Sequence, residues 1–332
     1  MPVLTTENAP EWLRRHGLGD GFGGPHAKLT ELGGGVSNTV ILAETPGSRV
    51  VLKQSLGRLR VAQEWLSDRE RIFREADAMR WLAGKTRGGR VPRLLAEDRG
   101  DFAIAMEAAP AECDMWKALL FRHVFDPAHA RAAGTLLGSI IAASWNDPEA
   151  ARLFGDQTVF DQLRIDPYYR FTASRHPEIA GYITALIARS AERRVSLVHG
   201  DWSPKNLLLA PGATDNPLWA IDWEVIHFGD PSYDVAFLLN HLLLKSLVMP
   251  ARREALTGLA LHFTAALRAE LPPAAGWVEA AALEHLPALL LARVAGKSPA
   301  EYLLEEHRAQ AWQRGIDLIR HPAGSVEEAF TR

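Results

Sequence analysis

Three oxygen-bearing side chains follow one another along residues 195–234: Asp201, Asn206 five positions later, and Asp222. Residues 195–198 form a short apolar run that reads as a buried strand halting at His199-Gly200-Asp201. Two more apolar runs, 207–209 and 219–221, are separated by the turn signals Pro211-Gly212 and Asp215-Asn216-Pro217. A hairpin brings its two ends together, so Asp201 and Asn206 are expected beside Asp222. Phosphoryl transfer uses such a set. One carboxylate takes or orients the proton of an attacking hydroxyl, while an amide oxygen and a second carboxylate hold magnesium on the phosphates. Singly, Asp and Asn are ordinary turn formers. Their order and spacing, with a strand on each side, carry the signal.

The elements upstream supply what such a site needs. Gly33-Gly34-Gly35-Val36-Ser37-Asn38 separates two short runs, so strand, glycine turn and strand are expected. Backbone N–H groups at Gly34 and Gly35, with Ser37 and Asn38 as further donors, would cradle phosphates. The turn lacks the third glycine of a protein-kinase loop. Residues 49–54 read as the next strand, carrying Lys53. Ser67-Asp68-Arg69-Glu70 has the form of a capping box opening a helix to about residue 83. On that helix Ile72, Ala76, Met79 and Leu82 make the apolar face, and Glu75 falls on or beside it. A carboxylate there requires a cation. Lys53 is the expected partner, which would fix the lysine on a nucleotide; Arg71 or Arg74 at the helix edge is the alternative. Residues 92–95 and 102–106 complete a small sheet, and 107–112 read as a hinge. Backbone groups of Met106, Glu107 and Ala108 are placed to meet an adenine edge.

From residue 114 the pattern is helical, with amphipathic helices over 128–145 and 179–192 and an aromatic loop at Asp166-Pro167-Tyr168-Tyr169 between them. Gly229-Asp230-Pro231-Ser232 breaks the chain before an apolar helix over 233–248. Asp234 in its first turn is expected to be structural, accepting bonds from nearby backbone N–H groups. The 332 residues suffice for two lobes, 1–106 and 113–332, joined by the hinge. A net charge of -3 leaves no electrostatic footprint for nucleic acid or an anionic membrane. A lone cysteine, Cys113, excludes an intrachain disulfide and a Cys-based zinc site. With no apolar leader or spanning run, a soluble, cytoplasmic protein is expected.

With these pieces placed, the chain resembles the aminoglycoside phosphotransferase and choline kinase group of small-molecule kinases. The likeness covers roughly residues 29–250, and His199-Gly200-Asp201, Ile221-Asp222-Trp223-Glu224 and Gly229-Asp230-Pro231 through Asp234 are its most specific parts. The resemblance implies an α+β, protein-kinase-like fold: a small antiparallel sheet in the N-lobe and a larger helical C-lobe. It implies transfer of the γ-phosphoryl group of ATP, with Mg2+, to a hydroxyl of a small metabolite or aminoglycoside-like acceptor. Asp201 would then be the base, Asn206 and Asp222 the magnesium ligands with Glu224 at a second metal, and Lys53 the residue on the α- and β-phosphates. Residues 51–56 with Arg60, and 233–237 leading into Asn240, are similar to segments of methylthioribose kinases. A sugar kinase of that type and a choline or ethanolamine kinase are the alternatives, and a non-catalytic nucleotide sensor is the alternative from another class. Gly200 stands where protein kinases carry an arginine, and seven residues between Asp222 and Asp230 leave no room for a peptide-docking loop. Trp202, Trp223 and Arg293 are the candidate acceptor contacts, and a place in the core is the alternative for either tryptophan.

Overall fold

A computed structural model describes residues 3–33, 38–57, 68–210 and 218–332. The chain divides into two compact units. One comprises Met1–Ala83, Val91–Ala111 and Asp222–Val225; the other comprises Gly84–Arg90, Glu112–Ile221 and Ile226–Arg332.

In the first unit β1 (Lys28–Glu31), β2 (Asn38–Thr45), β3 (Ser48–Ser55), β4 (Leu94–Asp98) and β5 (Ala103–Glu107) form an antiparallel sheet in the order β1-β2-β3-β5-β4. Successive strand residues point to opposite faces, and both faces are covered. Val50, Leu52, Ala103 and Ala105 pack with Trp12 and Leu13 of α1 (Ala9–Arg15). Val51, Ile104 and Met106 pack with Ile72, Phe73, Ala76 and Met79 of α2 (Arg71–Leu82). Lys53, two residues after Val51 and paired with Ile104, therefore faces α2.

Helix α2 begins later than a capping box at Ser67 implies. Ser67 lies outside the described residues. Asp68 organises a turn ahead of the helix instead, its Oδ1 accepting from the Glu70 N–H at 2.9 Å and its carbonyl from the Arg71 N–H at 3.4 Å. The proposed hinge also starts later. Met106 and Glu107 are still strand, and the Glu107 N–H donates to the Arg93 carbonyl at 2.9 Å, so this donor is not open to an adenine edge.

The second unit is mainly helical. α3 (Pro127–Ser144) starts with Asp126, whose Oδ1 accepts from the Ala128 N–H at 2.8 Å, and with Pro127 in the first turn, where a missing N–H costs nothing. Gly134 and Gly138, one turn apart, let it lie against α6 (Arg253–Glu270). A Cβ on Gly134 would stand 2.2 Å from the Phe263 carbonyl oxygen. α4 (Pro177–Glu192) leads into β6 (Ser196–Val198), which pairs antiparallel with β9 (His227–Gly229). β7 (Leu207–Leu209) and β8 (Leu218–Ala220) form the hairpin, with Asp114–Met115 on one side and Gly89–Arg90 on the other. α5 (Ser232–Val248) is buried on almost every side against α6 and α7 (Val278–Ala295), and its mostly apolar surface takes Asp234, Asn240, His241 and Lys245 into the interior with it. α8 (Glu305–Arg320) packs on α7.

One expected loop is helical. Residues 161–170, including Pro167, form a wide π-helical segment, in which the Phe171 N–H reaches the Asp166 carbonyl five residues back. A wider turn accommodates a proline that would break an i→i−4 ladder. Among the described residues no helix is long and apolar enough to cross a membrane.

Candidate active site

In the second unit the chain leaves β6 through Gly200, whose φ of +78° favours glycine. Asp234, in the first turn of α5, holds this corner from beneath. Its two oxygens accept from the His199 N–H at 2.6 Å and the Gly200 N–H at 2.9 Å. Burial pushes the Asp234 carboxyl up to about 7, and those two N–H groups pull against the shift. The His199 ring ties the corner to the hairpin. The Asp201 N–H donates to Nδ1 at 3.2 Å, so Nε2 carries the ring proton and donates to the Ile221 carbonyl at 3.0 Å.

This corner presents Asp201, a buried carboxylate. Its Oδ2 lies 3.0 Å from a guanidinium nitrogen of Arg164 and 2.8 Å from the Lys205 ammonium. Arg164 is itself anchored, its Nε donating to the Gly200 carbonyl at 2.5 Å. Five residues on, Asn206 closes the turn: its N–H donates to the Ser203 carbonyl at 2.9 Å and its Nδ2 to the Asp201 carbonyl at 3.0 Å. With the amide nitrogen so engaged, Asn206 presents its oxygen, the atom a hard cation takes. The Ile221 N–H donates to the Asn206 carbonyl at 3.0 Å, and the next residue of the chain is Asp222.

In the first unit Lys53 is the centre of a buried ionic group. Its Nζ lies 2.6 Å from Glu75 Oε2 and 2.5 Å from Asp222 Oδ1, with 6 % of its side chain exposed. Burial opposes the lysine's charge, but Asp222, Glu75 and Glu224 together hold its pKa well above the ordinary value. Burial raises the Glu75 carboxyl to about 7, while Lys53 pulls it down. Glu75 thus pairs with the strand lysine. Asp222 has a φ of +71°, a left-handed conformation that Asp tolerates better than most residues, and 28 % of its side chain is exposed.

Several of the expected contact residues are bonded within the protein or buried in its core. Glu224 Oε2 is held by Asn38 Nδ2 at 2.8 Å and Arg71 Nε at 3.1 Å, so an arginine already compensates this expected metal ligand. The same bond commits the Asn38 donor that the sequence suggested for a phosphate. Trp202 and Trp223 are core residues with 0 % and 1 % exposure, and neither offers a ring face to an acceptor. Arg293 is buried, its NH1 donating to the Tyr168 hydroxyl at 3.1 Å and to the Ser298 carbonyl at 2.5 Å. Gly34, Gly35 and Ser37 lie outside the described residues. Two residues missed in the sequence stand on Asp201. Lys205, four positions after it, was readable; Arg164, 37 positions before it, gave no signal.

Among the described residues no cluster of three or more His, Cys, Asp or Glu is placed to hold a metal ion. A magnesium site completed by substrate phosphates needs only one or two protein carboxylates.

Residues 28–277 match the model of a family described as the phosphotransferase enzyme family. No curated protein matches the sequence significantly. Solved structures share the α+β, protein-kinase-like architecture. An amicoumacin kinase, solved in complex with AMP-PNP, Ca2+ and Ami, is 17% identical over 88% of this chain and 87% of its own, with a TM-score of 0.57. A macrolide 2'-phosphotransferase from Brachybacterium faecium is 18% identical over 96% and 99%, with a TM-score of 0.53. A choline kinase from Cryptosporidium parvum is 15% identical over 99% and 100%, with a TM-score of 0.54. At these identities the likeness speaks for the fold.

Proposed function

The chain belongs to the phosphotransferase enzyme family, and from that premise we propose that it transfers the γ-phosphoryl group of ATP to an alcohol group of a small molecule, with Asp201 as the base. The observation that carries this reading is the Asp201 corner. A buried carboxylate is held on a turn whose N–H groups are anchored by Asp234, and the Asn206 amide oxygen closes the same turn. The acceptor hydroxyl gives its proton to Asp201 as its oxygen bonds to the γ-phosphorus. The bond from that phosphorus to the bridging oxygen breaks, and ADP leaves.

Arg164 keeps the Asp201 carboxylate oriented. Lys205 supplies positive charge beside the base, where charge builds on the transferring group. Lys53, held by Glu75, would meet the α- and β-phosphates. Asn206 offers its amide oxygen and Asp222 a part-exposed carboxylate, each a donor of the kind magnesium takes, and these residues would be its ligands. When bound, magnesium neutralises phosphate charge and orients the transferred group. The adenine nucleotide analogue and Ca2+ in the amicoumacin kinase complex support this assignment of the nucleotide and of a divalent ion.

The test is ADP release and phosphorus NMR with Mg-ATP and a panel of hydroxyl compounds. Asp201→Ala is expected to abolish transfer and to retain Mg-ATP binding by calorimetry. Full transfer by that variant would refute the base. Absence of nucleotide binding in the unaltered protein would refute the kinase.

A further inference from the structure

Lys245 lies on α5 four residues after His241, so the two share a helix face. Its side chain is wholly buried, with 0 % exposure. Its Nζ reaches the His241 carbonyl at 3.4 Å and stands 5.0 Å from the Tyr302 ring centroid and 5.5 Å from that of Phe121. Among the described residues no carboxylate lies within ion-pair distance of it. Arg293 adds a second buried cation. Its hydrogen bonds go to a phenol and to Ser298, and its Nε is buried with no partner among the described residues. The Tyr302 hydroxyl is likewise buried and unpaired among the described residues. The carboxylate of this cluster, Glu301, is engaged by Lys117 at its exposed edge.

Two buried cations are thus gathered with too little negative charge of the protein's own. A buried charge of this kind either loses its proton or meets an anion. The cluster also adjoins the base. Arg293 donates to the Tyr168 hydroxyl, the Arg164 guanidinium lies 5.9 Å from the Tyr168 ring, and Arg164 pairs with Asp201.

We propose that the acceptor is a small hydroxy acid, whose carboxylate is received by Lys245, Arg293 and the Tyr302 hydroxyl while its hydroxyl meets Asp201. This rests on the kinase reading above and narrows it from any alcohol to an anionic one. A planar carboxylate suits an unfilled guanidinium N–H, an ammonium and a phenol gathered in one cluster. Polycationic aminoglycosides and quaternary amines would add positive charge to a cluster already in excess. Burial, with Lys117 and Arg293 nearby, lowers the Lys245 pKa to about 7, and a bound carboxylate would restore its proton.

The test separates binding from turnover. Calorimetry on Asp201→Asn, saturated with Mg-ATP, would compare glycerate, erythronate and gluconate with glycerol, erythritol, sorbitol, glycerol phosphate and kanamycin. At least one acid is expected to bind about tenfold or more tighter than the neutral polyol of matching length. Lys245→Met, nearly the same length, is expected to raise KM for that acid about tenfold or more with Mg-ATP affinity unchanged. Arg293→Lys should move the same KM, which covers the case in which Lys245→Met does not fold. Three results overturn the proposal: no acid binding, equal or tighter binding of polyol, glycerol phosphate or kanamycin, or an unmoved KM in both variants. Loss of Mg-ATP binding in the unaltered protein would instead overturn the kinase reading.

Discussion

Replacing Lys53 with methionine removes the cation that Glu75 meets at 2.6 Å and Asp222 at 2.5 Å. Glu75 has 1 % of its side chain exposed, so water does not take over. Breaking a buried pair by deleting one partner costs about 3–5 kcal/mol. The stranded carboxyl limits that cost by taking a proton. From an ordinary carboxylate pKa near 4.3, protonating it costs about 5 kcal/mol at pH 8 but only about 1.6 kcal/mol at pH 5.5. In the variant the folded-state pKa of Glu75 lies above its unfolded value. Its contribution is therefore fully present at low pH and lost as pH rises through the folded value. Lys53→Met should be destabilised by about 3–5 kcal/mol at pH 8 and by about 1–2 kcal/mol at pH 5.5. Adding Glu75→Gln should recover much of the loss at pH 8. Urea unfolding followed by circular dichroism at both pH values, over the four proteins of the cycle, reads these quantities. Equal losses at the two pH values, or a coupling energy below about 0.5 kcal/mol, would refute the electrostatic account.

Gly134→Ala should destabilise by at least about 2 kcal/mol, because its new methyl meets the Phe263 carbonyl, whereas Gly258→Ala, in open space on a helix, should be neutral or stabilising by up to about 1 kcal/mol in the same unfolding assay. Asp234→Asn loses one of two acceptors beneath the His199-Gly200 corner and should lower kcat at least tenfold, with Mg-ATP affinity by calorimetry unchanged. Lys245, depressed to about 7, binds its proton less well folded than unfolded, so stability should rise with pH from about 7 to about 10. The groups acting on it are Lys117, Arg293 and Glu301. Thermal melts of Lys245→Met should lack this rise.

The order Asp201, Asn206, Asp222 was readable because it belongs to one local stretch, where turn residues and short apolar runs dictate a hairpin. Lys53 on a central strand and the apolar stripe of α2 were readable from their periods of two and 3.6. The partner of Glu75 was narrowed rather than decided. Strand alternation turns Lys53 toward α2, but only packing brings Nζ to the carboxylate. Arg164 on Asp201 and Arg71 on Glu224 are separated from their partners by 37 and 153 residues, and no local pattern joins such pairs. The two tryptophans beside the motif residues were open to either role until burial placed them in the core. Residue type and period govern what the neighbouring backbone does. Which distant side chains meet, and which charges remain buried without a counterpart, depends on how whole elements pack, and that is a property of the folded chain alone.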